Sequence, residues 1–235
     1  MDTTTVHGLL FERVRGLLLI SYLYFFLGVL AFLANVFLIL AYGSVKDLRQ
    51  RYVLYLGLAV ADMVNGTAFI FIGVDRLRQM FLYADSNDFP ATLRFECALK
   101  IGNILQVIGS QWPAFITLAL GVDRFIAVIH PLQYRRFKSR FFNGFLTTTF
   151  IISLFSLCIA LIIGLLLEPN EKVYFTCNLS SAYGFIYSTY NYLITTLCHV
   201  LGFVLNLFAY RSIRKAVRNG AVYNSKLKQE CMTIK

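Results

Sequence analysis

Charged residues along this chain gather into short clusters, separated by uncharged runs from Gly16 to Val45, Met63 to Val74, Ile101 to Val122, Phe141 to Leu167 and Val173 to Tyr210. A hydrocarbon core of roughly 30 Å is crossed by ~20 apolar residues, each rising ~1.5 Å in a helix. The pattern therefore predicts bilayer spans at about 17–42, 52–74, 101–129 and 141–167. The last run, 38 residues long, exceeds one crossing and is too short for two with a turn between. It resolves into a loop around Cys177 and a fifth span at about 182–210. Pro131 stops span three, because proline cannot continue a helix and biases His130 away from helical geometry. Lipid offers no partner for backbone polar groups, so spans are helices or closed barrels, and runs of this length are not the ~10-residue alternating segments of a barrel. The expected fold class is all-α, a polytopic membrane helix bundle.

Composition agrees. Hydrophobic residues make up 58% of the 235 and charged ones 14%, against about 45–50% and 25% in soluble globular chains, which argues against a water-soluble enzyme. The net charge of +10 raises nucleic acid as a partner, but the cations belong to the membrane topology. Fifteen Lys and Arg flank the spans on one side and seven on the other. Since cytoplasmic loops carry the excess, the N-terminus is expected outside and the C-terminus inside. A signal peptide would have an apolar region of only ~7–15 residues, so the first run is read as a span. Residues 1–220 form one transmembrane domain in this reading, and 221–235 a basic cytoplasmic tail; the cations from Arg211 onward, Arg214, Lys215, Arg218, Lys226 and Lys228 among them, would attract the anionic leaflet, though a solvated juxtamembrane face is favoured over a dedicated binding motif.

No His-Glu-x-x-His, Gly-x-Ser-x-Gly, phosphate-binding glycine loop or Cys-x-x-Cys occurs, and no catalytic site, metal or cofactor is expected. Asp62, mid-way along span two, is costly at the bilayer centre by ~2.5–3.5 kcal/mol, so it should face the bundle interior. Asn35 lies at a matching depth, ~12 Å against ~15 Å from the inner helix ends, and is its natural partner. A polar pair that merely glues helices and a functional site both remain open. Asp123-Arg124-Phe125 falls at the inner end of span three, where an ion pair can be made and broken at modest cost. Positive-inside flanking would explain Arg124 but not Asp123. Gly73-Val74-Asp75-Arg76 repeats the letters of Gly121-Val122-Asp123-Arg124, but it emerges on the outer side and reads as coincidence. Cys97 and Cys177 are the two outer cysteines, in a compartment that favours a bridge. Asn178-Leu179-Ser180 is a glycosylation sequon in the same loop. Ser156, Ala160 and Gly164 make a stripe of small residues that suits close helix packing, and Trp112-Pro113 should kink span three.

In order and sidedness these residues resemble the rhodopsin-like, class A G-protein-coupled receptors, including their divergent nematode chemosensory branches. The matching pieces are Leu33-Ala34-Asn35-Val36, Leu58-Ala59-Val60-Ala61-Asp62, Cys97 with Cys177, and Asp123-Arg124-Phe125-Ile126-Ala127-Val128 followed by His130-Pro131-Leu132. The resemblance implies a plasma-membrane receptor with an extracellular ligand and a heterotrimeric G-protein partner. It places the ligand pocket among Gln106, Ser110, Tyr187 and Asn191 in the outer halves of the helices. It also implies release of Arg124 from Asp123 on activation, and a polar core at Asn35 and Asp62 that in this family often holds sodium. Amine receptors of the family carry an acid at the position of Gln106, so an amine ligand is disfavoured.

The chain departs from the family's pattern at several points. Cys97 stands 27 residues before Arg124, where the family usually has about 25. Span four lacks the usual Trp and span five the usual Pro, and Pro113 occupies a place where a small polar residue is more common, which weakens the case for sodium. Helices six and seven have no counterpart before Lys235, so the reading is of a receptor truncated after its fifth span. The competing readings are a transporter or channel, centred on Asp62 and His199, and a non-signalling protein that pairs with full-length receptors.

Overall fold

The computed structural model describes residues 3–82 and 91–218; the expected tail at 221–235 lies outside them. Five helices are long and apolar enough to cross a membrane, with crossing segments at Gly16–Ser44, Val53–Leu82, Ile101–Ile129, Gly144–Leu167 and Leu179–Lys215. They belong to α1 (Thr3–Ser44), α3 (Val53–Leu82), α5 (Ile101–Ile129), α6 (Pro131–Ile162) with a π-helical turn over Ile163–Leu167, and α7 (Leu179–Arg218). Two short helices, α2 (Lys46–Arg51) and α4 (Arg94–Leu99), and two strands, β1 (Ala91–Leu93) and β2 (Lys172–Tyr174), complete the described chain.

The third crossing helix has the bounds the charge pattern gives, because Lys100 and Pro131 bracket it. His130 leaves helical geometry at φ −125°, ψ 61°, and Pro131 opens α6 at its first turn, where its missing N–H costs nothing. The helices run past the expected bilayer limits: α3 continues from 74 to Leu82, α6 begins before 141, and α7 extends to Arg218. Charge ends a span but does not end a helix. α7 bends at Gly184, whose φ of 81° lies in the left-handed region that glycine enters without a Cβ penalty. α5 runs unbroken through Pro113.

α3 packs between α1 and α5, and α5 in turn meets α6 and α7, so α5 is the central helix of the bundle. Lipid tails are as apolar as leucine, so helices associate through close packing rather than through hydrophobic expulsion. A close crossing joins α5 to α7: a Cβ on Gly121 would stand 2.6 Å from the Gly202 carbonyl, and one on Gly202 would stand 2.8 Å from that of Thr117. The small stripe of span four is buried at Ser156, Ala160 and Gly164. A Cβ on Gly164 would reach the Ala182 carbonyl at 2.7 Å, so this stripe admits the start of α7. Large apolar side chains such as Phe37, Phe155, Leu166 and Phe203 point outward, as lipid-facing positions do.

Candidate functional site

At the outer end, the loops are pinned to the bundle. β1 and β2 pair antiparallel with Ala91 opposite Tyr174, and Cys97 is bridged to Cys177 with Cα atoms 5.2 Å apart. Asn103 on α5, buried, donates through Nδ2 to the carbonyls of Cys97 at 2.8 Å and Cys177 at 3.1 Å, so one amide fastens both halves of the bridge. Arg94 pairs with Glu168 at 2.7 Å and with Glu171, tying α4 to the turn after α6. Arg76, in the repeat of the Gly-Val-Asp-Arg letters, is engaged by the same loop. Its Nε donates to the Thr176 carbonyl at 3.1 Å, its Nη2 donates to Asn178 Oδ1 at 2.8 Å, and its guanidinium lies 5.0 Å from the centre of the Tyr24 ring. Asn178 itself is exposed, and its carbonyl accepts from the N–H of Ala182 at 2.9 Å, so the sequon enters the first turn of α7.

Three of the four expected pocket residues come together in the bundle interior, two of them across one interface. Ser110 Oγ and Asn191 meet at 3.2–3.3 Å across α5 and α7. Gln111, which the sequence reading passed over, donates through Nε2 to Asn191 Oδ1 at 2.7 Å. Tyr187 OH sits 2.9 Å from Ser156 Oγ and donates to the Ser156 carbonyl at 3.1 Å. Asn191 is 1% exposed and Gln111 0%, so the cluster joins α5, α6 and α7 by mutual contacts. Gln111 Oε1 has no partner, an acceptor still available inside the bundle. Gln106, a turn outward from Ser110, is half-buried.

Deeper in the bundle, Asn35 Nδ2 donates to the Ala31 carbonyl at 2.9 Å, one turn back on its own helix. Among the described residues no hydrogen bond or ion pair joins it to Asp62, which is half-buried; the amide takes the acceptor its own helix supplies. The donor set suits sodium poorly. Gly109 packs onto Asn65, where a Cβ would lie 2.6 Å from Cα, and one turn inward from that contact α5 offers Pro113, with no side-chain oxygen.

At the inner end of α5, Asp123 and Arg124 turn to different partners, and no ion pair among the described residues joins them. Arg124 Nη2 donates to the Tyr55 hydroxyl, and its guanidinium lies 5.8 Å from the same ring's centre. Tyr134, on the first turn of α6, hydrogen-bonds Asp123; burial, followed by this contact, holds its phenol well above the ordinary tyrosine range. Phe125 is half-buried. Tyr42, Tyr52 and Tyr55 form an aromatic chain at the same level, with centroids 5.6 and 5.8 Å apart. Tyr55 had a legible signal: it lies seven residues before Asp62, two turns away on the same helix face.

Such a molecule is a multi-pass α-helical membrane protein, one end of which is clasped by a disulfide while the opposite end carries a charged motif. Residues 34–234 match the family described as 7 transmembrane receptor (rhodopsin family), and the chain belongs to that family. No curated protein matches it closely. That membership supports a receptor signalling function in general.

Proposed function

We propose that the chain senses an extracellular ligand at its disulfide-clasped end and engages a heterotrimeric G protein at the end bearing Asp123, Arg124 and Phe125. The N-terminus then faces outward and the C-terminus the cytoplasm, at the plasma membrane. The observation that carries this reading is the division of Asp123 and Arg124 between two tyrosines on different helices. The hydroxyl that holds Arg124 carries no countercharge, so this contact is weaker than a charge pair. Arg124 is therefore held in place yet free to exchange Tyr55 for a carbonyl or hydroxyl of a docked partner at modest cost. Ser110, Gln111, Asn191 and Tyr187 supply the polar coupling between the outer and inner halves of α5 and α7. Gln106 and the unpartnered Gln111 Oε1 are the groups of this cluster that a ligand's hydrogen-bond donor would meet.

The test is retention of purified Gα, stripped of nucleotide, on the chain in nanodiscs. Retention is expected with the unaltered chain, and Arg124→Ala should abolish it without lowering the unfolding temperature. Equal retention by Arg124→Ala would refute the assignment of the inner motif.

A further inference from the structure

A cleft opens between the outer ends of α3 and α5 and the segment around Cys177. Phe71, Ile72 and Gly102 form its apolar wall, and Asp75, Arg76, Lys100 and Asn103 its polar one. It has room for about one water-sized group. Its charges do not balance. Lys100 Nζ and Asp75 Oδ2 are 2.6 Å apart and neutralise each other. Arg76 is left facing a carbonyl, an amide oxygen and the ring and hydroxyl of Tyr24, and no carboxylate forms a salt bridge with it among the described residues. A guanidinium carries five donors and cannot discharge, and these three hydrogen bonds do not use them all. A permanent cation is thus held at the outer rim on neutral partners, with donors to spare.

The surroundings of this cation are rigid. Asn103 is fixed by two carbonyls, Cys177 by its bridge, and Gly102 by α3, since a Cβ there would meet Ile72 at 2.8 Å. The cleft is therefore ordered before anything enters it, which lowers the entropic cost of binding. Arg76 and the carbonyl of Thr176 are drawn together, so an entering anion would also bear on the clasped loop.

We propose that this cleft is a binding site for a compact anionic group, such as the carboxylate terminus of an extracellular ligand, with Arg76 as its anchor. An acid fits where an amine does not, since among the described residues the one carboxylate lining the cleft, Asp75, is already occupied by Lys100. The remainder of such a ligand lies outside the cleft, over the loop or toward α7. The proposal names the ligand class for the receptor reading above and rests on it for biological meaning, but binding itself is measured independently of any G protein.

The probe pair is benzoate and benzamide, which share a ring and differ in charge. The readout is the unfolding temperature of the full chain in phosphatidylcholine nanodiscs at fixed ionic strength. Benzoate is expected to raise it in a saturable manner and benzamide to leave it unchanged. Arg76→Gln should weaken benzoate by roughly ten-fold or more, as loss of a charge-assisted hydrogen-bonding anchor does, while Arg78→Gln, an exposed cation two residues on, should not. The acid–amide contrast is read on the unaltered chain, so the test survives a folding defect in Arg76→Gln. Equal effects of benzoate and benzamide, or an unchanged benzoate affinity in folded Arg76→Gln, would overturn the site. Repeating the titration in discs doped with phosphatidylglycerol separates two sources of the anion. Loss of the benzoate effect there assigns the site to a lipid headgroup, and persistence assigns it to a soluble acid; both uphold an anion site. If benzoate binds and Gα is not retained, the inner-face reading fails while the cleft stands.

Discussion

Replacing Asn103 by alanine removes the amide that holds both carbonyls of the disulfide. The Cys177 carbonyl loses its 3.1 Å bond, while the Cys97 carbonyl keeps a longer one, 3.3 Å, from the Lys100 N–H. A buried acceptor left unmade costs about 1–3 kcal/mol, and the weakened second carbonyl with the vacated side-chain volume brings the loss to about 2–4 kcal/mol. For a chain of this size that corresponds to a fall of roughly 4–16 °C in Tm, at ~2–4 °C per kcal/mol. The assay is a fluorogenic thiol probe during heating in nanodiscs. With the exposed Cys158 and Cys231 replaced by serine in every variant, it reports on Cys198, which is 4% exposed in the folded chain and reacts when α7 separates. Asn103→Asp should fall further, since an ionised carboxylate offers two carbonyls no donor. In a chain lacking both bridge cysteines the Asn103→Ala increment should shrink, because the Cys177 carbonyl is then no longer held against α5. An alanine variant within about 1 °C of the parent (under ~0.5 kcal/mol by the same conversion), or an aspartate variant at least as stable as alanine, would refute the reasoning.

Other predictions follow from neighbouring sites. Tyr55→Phe keeps the ring beneath Arg124 but removes its hydroxyl acceptor, and should raise basal Gα retention by roughly 2–10-fold, from ~0.5–1.5 kcal/mol of lost restraint; unchanged retention would count against Tyr55 as the inner latch. Gly121→Ala or Gly202→Ala should cost about 1–3 kcal/mol by forcing α5 from α7, whereas Gly43→Ala, with nothing within 4 Å of the added Cβ, should be neutral or slightly stabilising; the thiol-probe Tm separates them. Tyr134, with its folded-state phenol pKa raised, contributes stability that is fully present below the ordinary tyrosine value of ~10 and is lost only as pH climbs through the folded value. Stability should therefore show no Tyr134-dependent variation with pH between pH 6 and pH 9, read as parallel profiles for the parent and Tyr134→Phe across that window, offset by the lost hydrogen bond to Asp123.

The five crossings were legible because charge is excluded from hydrocarbon, and Lys100 and Pro131 delimit α5 by that rule and by proline's missing donor. The helix ends elsewhere were not legible, since α3, α6 and α7 continue into water on local backbone bonds that hydropathy does not register. The paired strands Ala91–Leu93 and Lys172–Tyr174 were missed because three residues are too few to show an alternating pattern. Asp123 and Arg124 could be assigned to the inner end from spacing, but not their partners: tyrosines on α3 and α6 reach them only after packing. The same applies to Asn35, whose depth matches that of Asp62 while its amide turns back along its own helix. The contacts of Arg76 were not legible, because the loop that meets it is brought there by the Cys97–Cys177 bridge. Gln111 could have been found, since an amide in mid-span beside Ser110 is expensive unless another helix answers it, as Asn191 does.

The account depends on sidedness: the clasped end outside, the Arg124 end within. Distinct epitopes at the N-terminus and after Lys235, probed on intact and then permeabilised cells, measure it directly. The account predicts N-terminal staining on intact cells and C-terminal staining only after permeabilisation. The reverse pattern would put Asp123 and Arg124 in the medium and the disulfide in a reducing compartment, and would contradict it.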